Sequence, residues 1–347
     1  MSTTAPSVSS PTSIAPLIKR ASAGANLSAG EMHDAVNAIM DGDVTPAQVA
    51  ALLVALAIKG ETADEVAGAA AAMREHAIAV KPREGAIDVC GTGGDESGTF
   101  NISTAVAFVV AGAGVPVAKH GNRAMSSRCG SADVLEALGV RIDIPPGRAG
   151  QILEEYAIAF LFAQGHHPAM RHVAPVRREI GIRTLFNVLG PLTNPAGVRR
   201  QVIGVARPGV LRLVAEALER LGSERVAVVH GSDGLDEVTL AGPTSVAEWT
   251  GEAVVEYEIA PEDAGFERRD AGRLRGGDAA SNAAAIRSVL DGEAGDRRDV
   301  VLLNAALALR IAGATPDLRQ GRVLAERSID AGAARSRLEA LVKASNA

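Results

Sequence analysis

Aromatic residues are scarce in this 347-residue chain: one tryptophan, two tyrosines and six phenylalanines, 3% together. With alanine and glycine abundant, the interior has to be filled by closely packed helices and tight turns, which argues against a β-sandwich. Cysteine is scarcer still. Cys90 and Cys129 make neither a disulfide framework nor a zinc site, and a reducing cytoplasm is the expected location. There is no long run of one charge sign, and the balance of 35 basic against 41 acidic residues, net −6, excludes an electrostatic footprint for nucleic acid or an anionic membrane. Any anionic ligand must therefore be held locally. No apolar run is long enough to span a membrane. The opening "MSTTAPSVSSPTSIAP" lacks the basic and apolar regions of a signal peptide, so residues 1–13 read as a disordered lead-in.

The length exceeds what one core usually organises, and 47% hydrophobic content suffices for two. From residue 14 to 76 the pattern is helical. "LSAGEMHDAVNAIMDG" ends on a glycine, "TPAQVAALLVALAIKG" opens with a Thr cap and Pro at its first position, and "TADEVAGAAAAMREHA" follows. These three helices predict a small α-helical domain over 14–79. The character changes at "AIDVCGTGGD". A β-rich run, the helix "STAVAFVVAGAG" and the strand "VPVAKHGN" set a parallel strand–helix–strand beat. It continues through "SADVLEALG", "GRAGQILEEYA", "IAFLFAQ", "PAMRHVAPVRREIG" as a helix, "RQVIGVAR", "GVLRLVAEALERLG" and "RVAVVHG". Residues 245–260 read as an edge hairpin, and helices close the chain from residue 279. The expected fold is α/β: a small all-α domain plus a large α/β domain over 80–347, with a mainly parallel central sheet flanked by helices. A segment near 177–198, neither clean strand nor clean helix, is expected to cross back to the small domain.

In such a sheet ligands bind beyond the carboxyl ends of the strands, and four stretches fall there: "GTGGD", "KHGNR", "GHHPAM" and "GSDGLDE". The run "GTGGDESGTFNIST", residues 91–104, packs four glycines, five hydroxyl side chains and two acids into fourteen positions. Glycines at 91, 93 and 94 let backbone N–H groups approach an anion, and a helix opening near Ser103 adds its positive end, so the stretch reads as a phosphate cradle. It matches neither the P-loop nor the dinucleotide fingerprint. Thr99, Asn101, Ser103 and Thr104 supply donors, with Asn or Ser as a plain N-cap the simpler alternative. Lys119, His120, Asn122 and Arg123 gather at a strand end, where Lys119 can neutralise a phosphate. "SSRCGSAD" offers more hydroxyls, with N-capping by Ser131 an equal alternative. Asp236 and Glu237 are two neighbouring carboxylates able to hold Mg²⁺ beside substrate phosphates, or simply a solvated acidic turn. His166, His167 and His172 lack the spacing of a zinc site. Arg177 suits a ligand carboxylate if it faces the pocket.

Taken in order, "GTGGD", "TFNIST", "KHGNR", "GSADVLEALG", "HPAMRHVAPVRREIGIRTLFNVLGPLTNPA" and "DGLDE" resemble the anthranilate phosphoribosyltransferase family, as does "ALLVALAIKGETADEVAGAAAAMREH" in the helical part. The resemblance implies the nucleoside phosphorylase class of phosphoribosyltransferase fold and a homodimer formed through the small helical domain. It also implies Mg²⁺-dependent transfer of a 5-phosphoribosyl group from phosphoribosyl pyrophosphate to anthranilate in tryptophan biosynthesis. Carried over, Gly91, Gly94, Asp95 and Lys119 hold the pyrophosphate end with Thr99 nearby, and Asn101, Ser103 and Thr104 grip the phosphates. Ile102, His120, Gly121, Asn122, Arg123, Ser126, Ser127 and Ser131 complete the donor site. Ser103, Asp236 and Glu237 match the magnesium ligands, and Gly91, Asn122 and Arg177 the anthranilate contacts. No residue is assigned as acid or base; His120 is a pocket candidate. Glu96 and Ser97 depart from the family pattern, where glycine commonly follows "GTGGD". Arg128 and Cys129 depart too, Cys129 reading as a small buried spacer. A pyrimidine nucleoside phosphorylase shares the architecture but carries a "KHSTGG" loop that is missing here. A non-catalytic nucleic-acid-binding relative should show a basic groove, and this chain is acidic.

Overall fold

The computed structural model describes residues 13–124 and 128–347. The expected lead-in, but for its last residue, and Ser126 and Ser127 lie outside the described residues. Among those described, seven strands form one sheet: β1 (Ile87–Gly91), β2 (Val117–Gly121), β3 (Ile158–Phe162), β4 (Arg200–Gly204), β5 (Arg225–Gly231), β6 (Thr244–Trp249) and β7 (Val254–Ile259). Their order is β3-β2-β1-β4-β5-β6-β7. The first five run parallel, and β6 and β7 are the antiparallel edge hairpin. The chain winds outward from β1 to β3 and then returns to the other side of β1 for β4, so the topological switch point lies between β1 and β4.

Alternation along the strands sorts their side chains to two faces. Ile87, Val89, Val202, Ala227, Val229 and Val246 join the core formed with the helices Ile102–Gly112, Ala279–Leu290 and Asp296–Ile311. Cys90, Ile203, Val205, Val226, Val228 and Ala247 turn the other way, onto the helix Leu211–Arg220 and the N-terminal helices. Both faces are dry, which is why these strands read as continuous apolar runs.

The N-terminal helices start where their capping residues say. Ser28 and Thr62 form capping boxes with Glu31 and Glu65, and the Thr45 hydroxyl accepts from the Gln48 N–H at 3.3 Å before Pro46. A fourth helix, Ala15–Ser22, precedes the three expected ones; it has no side-chain cap and only eight residues, so little local pattern announces it. "PAMRHVAPVRREIG" is not one helix either. It divides into a 3-10 turn, Pro168–His172, and a helix, Ala174–Ile180, because Pro175 has no N–H to continue the first ladder and suits the start of a new one.

The segment that follows is anchored in the helical core by Leu185, Phe186, Leu189 and Leu192. Arg74 donates to the Leu192 carbonyl at 2.7 Å. Two residues on, Asn194 fastens the segment to the sheet. Its amide donates to Asp88 Oδ2 and to the Ala118 carbonyl, each at 2.8 Å, and its oxygen accepts from the Ala196 N–H at 2.9 Å. Asp88 is fully buried and takes a further bond from the His120 N–H at 3.2 Å; burial pushes its carboxyl up to about 6 against the pull of Lys119. Replacing Asn194 strips three buried groups of a partner at once. Asn194→Ala is expected to cost about 2–4 kcal/mol, read as a lower urea midpoint with an unchanged slope.

Candidate functional site

β1 and β4 are in register with Gly91 opposite Gly204, and the loop after β5 lies over this pair. A Cβ on Gly91 would stand 2.6 Å from Asp236 Oδ2, and one on Gly204 1.6 Å from the Asp236 carbonyl oxygen. Only glycine at both positions lets Asp236 occupy the mouth of the switch point. The loop is held from behind by Asn304 of the helix Asp296–Ile311, which exchanges two hydrogen bonds of 2.8 Å with the main chain of Val238.

The glycine loop follows β1. Gly93, Gly94 and Gly98 adopt positive φ, and the Gly93 N–H donates to Asp236 Oδ2 at 3.0 Å. Its far end is tied down at the segment 274–277, with Gly276 donating to the Gly98 carbonyl at 2.9 Å and Phe100 to that of Leu274 at 3.1 Å. The helix Ile102–Gly112 opens against this loop. Asn101 precedes it but does not cap it with its side chain. Its carboxamide instead bridges the Cys129 carbonyl at 3.1 Å and Asn282 at 3.0 Å, so the plain N-cap alternative fails there. Ser103 N–H donates to Glu237 Oε1 at 3.1 Å, and its hydroxyl accepts from Lys119 at 3.1 Å. Lys119 is buried and also donates to the Val89 carbonyl at 2.6 Å. Thr104 is buried beside them, its hydroxyl without a partner among the described residues.

Acid exceeds base at this point. Asp95 Oδ2 accepts from the Asp236 N–H at 3.4 Å, which sets a third carboxylate beside Asp236 and Glu237. Burial and the neighbouring acids push Asp236 well up; burial raises Glu237 to about 7, opposed by Lys119. Two half-buried carboxylates, a hydroxyl and an excess of negative charge suit a hard divalent cation. Among the described residues no three His, Cys, Asp or Glu side chains group so as to hold a metal ion, so a cation held by Asp236, Glu237 and Ser103 would need further oxygen ligands from outside the protein, a pattern that suits Mg²⁺.

On the β2 side the roles divide differently. Asn122 Oδ1 accepts from the Arg123 N–H at 2.8 Å and from Gln164 at 3.4 Å, and its amide group has no partner among the described residues. The Arg123 side chain is engaged by Asp133 and Glu136 and lies over Phe162, so what it brings to the loop is its main chain. Ser131 does not cap its helix; its hydroxyl donates to the Asn122 carbonyl at 3.2 Å, and Asp133 accepts from the Gly130 and Ala124 N–H groups. Gly121 packs so tightly on Ser131 and Phe160 that no side chain fits. Cys129 is buried. His120 and His167 face each other with ring centroids 5.2 Å apart, each with a buried Nε2 that has no partner among the described residues. Burial lowers them to about 3 and about 4. Arg177, on the helix Ala174–Ile180, lies over the Phe186 ring at 5.7 Å. It is half-buried, which lowers its pKa, and among the described residues no acid or carbonyl accepts from it.

Residues 83–335 match the glycosyl transferase family, a/b domain, and residues 15–77 the glycosyl transferase family, helical bundle domain. The anthranilate phosphoribosyltransferase of Rubrobacter xylanophilus is 55% identical over 94% of this chain and 96% of its own length. That of Rhodopseudomonas palustris is 53% identical over 95% and 98%. The chain belongs to the anthranilate phosphoribosyltransferase family. The crystal structure of the enzyme from Thermus thermophilus superposes with a TM-score of 0.91 at 48% identity, covering 95% of this chain and 99% of that one. The Saccharomyces cerevisiae enzyme in complex with phosphoribosyl pyrophosphate and Mg superposes at 0.86 and 29% identity, over 96% and 99%.

One departure from the family pattern has a structural cost. Glu96 adopts φ +58°, the left-handed region where a glycine would sit without penalty. Sequence reasoning passed over Asp88, Arg183, Asn194 and Asn304; each works through a partner far away in the chain, and an isolated Asp, Arg or Asn carries no motif.

Two measurements check this geometry. Gly204→Ala is expected to destabilise the protein by about 1–3 kcal/mol through overpacking, and its crystal structure to show Asp236 displaced by more than an ångström; an unmoved Asp236 would contradict the packing described. His120 and His167 remain neutral in the fold, whereas an unfolded imidazole takes up a proton near pH 6.5. Their contribution to stability is therefore complete above that pH and declines as pH falls toward about 4 and about 3. In an NMR titration these two imidazoles should stay neutral down to pH ~5, while His33, raised by its bonds to Glu75 and Asp34, titrates above the ordinary range.

Proposed function

We infer that the protein transfers the 5-phosphoribosyl group of phosphoribosyl pyrophosphate to the amine of anthranilate, releasing pyrophosphate, a step of tryptophan biosynthesis. The observation that carries the acceptor side is Arg177: a half-buried guanidinium with no acceptor among the described residues suits the carboxylate that anthranilate brings. Gly91 and the free amide of Asn122 line the same acceptor. The donor lies along Gly91, Gly94, Asp95 and Thr99, the stretch Asn101, Ile102, Ser103 and Thr104, and Lys119 to Arg123 with Ser131. Ser103, Asp236 and Glu237 hold Mg²⁺, which when bound offsets charge on the diphosphate.

In the reaction the bond from the anomeric carbon to the pyrophosphate oxygen breaks as the amine nitrogen bonds to that carbon. The carbon passes through an oxocarbenium-like state, so the protein works by positioning and by charge. Backbone N–H groups of the glycine loop and Lys119 receive the leaving diphosphate. Arg177 and Asn122 hold the ring so that its amine points at the carbon. An aryl amine is already a free base at neutral pH, and the proton it loses passes to solvent or to the departing phosphate. His120 is neutral, so it can accept a hydrogen bond in the pocket without adding charge. Our working division is a helical domain over 14–79 and an α/β domain over 80–347, joined by the crossing segment. We extend the reading to a cytoplasmic homodimer paired through the helical domain. Among the described residues no helix is long and apolar enough to cross a membrane.

Anthranilate fluorescence tests this directly. The signal should fall in the presence of protein, phosphoribosyl pyrophosphate and Mg²⁺, and hold steady without metal. Arg177→Ala should raise the anthranilate KM by about 10- to 100-fold, the worth of a charged hydrogen bond, and leave that for phosphoribosyl pyrophosphate nearly unchanged. Equal effects on both would remove Arg177 from the acceptor site.

A further inference from the structure

Arg183 lies six positions after Arg177, at the root of the crossing segment. Its guanidinium donates from Nη2 to the Gly94 carbonyl at 2.6 Å, joining residues 89 positions apart. A Cβ on Gly94 would lie 2.0 Å from that nitrogen, the far end of an exposed and flexible side chain, so a larger residue would displace the arginine from the carbonyl; the φ of +76° favours glycine there in any case. Among the described residues the Arg183 side chain has no other hydrogen bond and no acidic partner. The chain immediately beyond it is firmly placed. Thr184 N–H donates to Asn187 Oδ1 at 2.9 Å, and Leu185 and Phe186 are buried in the helical core. The glycine loop is therefore held, at Gly94, by a segment rooted in the helical unit that also carries Arg177.

A planar trans peptide points its C=O and N–H in opposite directions. Fixing the Gly94 carbonyl toward Arg183 turns the Asp95 N–H away from it, and that N–H has no acceptor among the described residues. We propose that Arg183 is a donor-side positioning residue: by holding the Gly94–Asp95 peptide it presents the Asp95 N–H to the diphosphate of the phosphoribosyl donor. Its unused N–H groups keep positive charge beside the departing pyrophosphate. The same contact links the segment that binds the acceptor to the loop that binds the donor.

The proposal rests on the transferase reading above, and the test separates the two. Calorimetric titration of the wild-type protein with Mg²⁺ and phosphoribosyl pyrophosphate comes first, since absence of binding there overturns the transferase reading itself. Given binding, Arg183→Ala should weaken it and raise the KM for phosphoribosyl pyrophosphate by about 10- to 100-fold, as for loss of a charged hydrogen bond, while the anthranilate KM changes by no more than about twofold. Arg183→Lys, which keeps a charged donor, should recover much of the loss; Arg183→Gln, a neutral donor, should recover less. Wild-type donor KM in the alanine variant, or an equal rise for both substrates, overturns the proposal. Should the alanine variant fold poorly, the lysine and glutamine variants decide: an unchanged donor KM in both would likewise overturn it.

Discussion

Gly91 and Gly204 stand side by side at the carboxyl ends of β1 and β4, and the absence of two methyl groups there sets the form of the site. It lets the main chain of Asp236 settle across the switch point, close enough for its carboxylate to accept from the Gly93 N–H. From that placement the rest follows by contact. Glu237 reaches the first turn of the helix Ile102–Gly112, Ser103 meets Lys119, and Lys119 closes the floor against β1. The local result is a surplus of half-buried carboxylate over cation, a condition relieved either by protons or by a divalent metal. A fold that sets Asp95 and Asp236 beside Glu237 at the mouth of a glycine loop, with Lys119 close to Glu237, is suited to a ligand that brings both metal and phosphate.

The two halves of the molecule are mechanically joined at the same place. The crossing segment buries Leu185, Phe186, Leu189 and Leu192 among the N-terminal helices, while Asn194 bonds Asp88 and the Ala118 carbonyl within the sheet. Asp88 in turn holds the main chain of His120, which starts the β2 loop. Displacing the segment would thus disturb both loops that read as substrate contacts. Arg177 and Arg183 are six residues apart on it, one with no acceptor among the described residues and the other fastened to the glycine loop. Under the proposed function, such an arrangement makes the relative placement of donor and acceptor a property of one short stretch of chain.

The departures are as informative as the agreements. Glu96 holds a left-handed conformation that costs an ordinary residue about 1–2 kcal/mol. The loop nevertheless keeps its course, because its ends are tied to Gly204 on one side and to the segment 274–277 on the other. Arg123 illustrates the reverse case. A basic residue in a phosphate-binding stretch invites a charge-pair reading, yet Asp133 and Glu136 engage its side chain.

Much was legible from the chain alone, because the signals are local. Ser28, Thr45 and Thr62 announce helix starts by bonds to residues three positions on, apolar runs bounded by glycine announce buried parallel strands, and "GTGGD" and "KHGNR" announce strand ends rich in donors. The short helix Ala15–Ser22 and the break before Pro175 escaped for want of a strong local pattern. By itself, then, the sequence determined the helical and α/β parts, the donor-rich loops at the strand ends, and the family to which the chain belongs. Only the tertiary structure decided that Gly91 pairs with Gly204, that Asp88 needs Asn194, and that Arg183 holds Gly94. Those contacts join residues some ninety or more positions apart, and periodicity and capping act over a few residues, so no local rule reaches them.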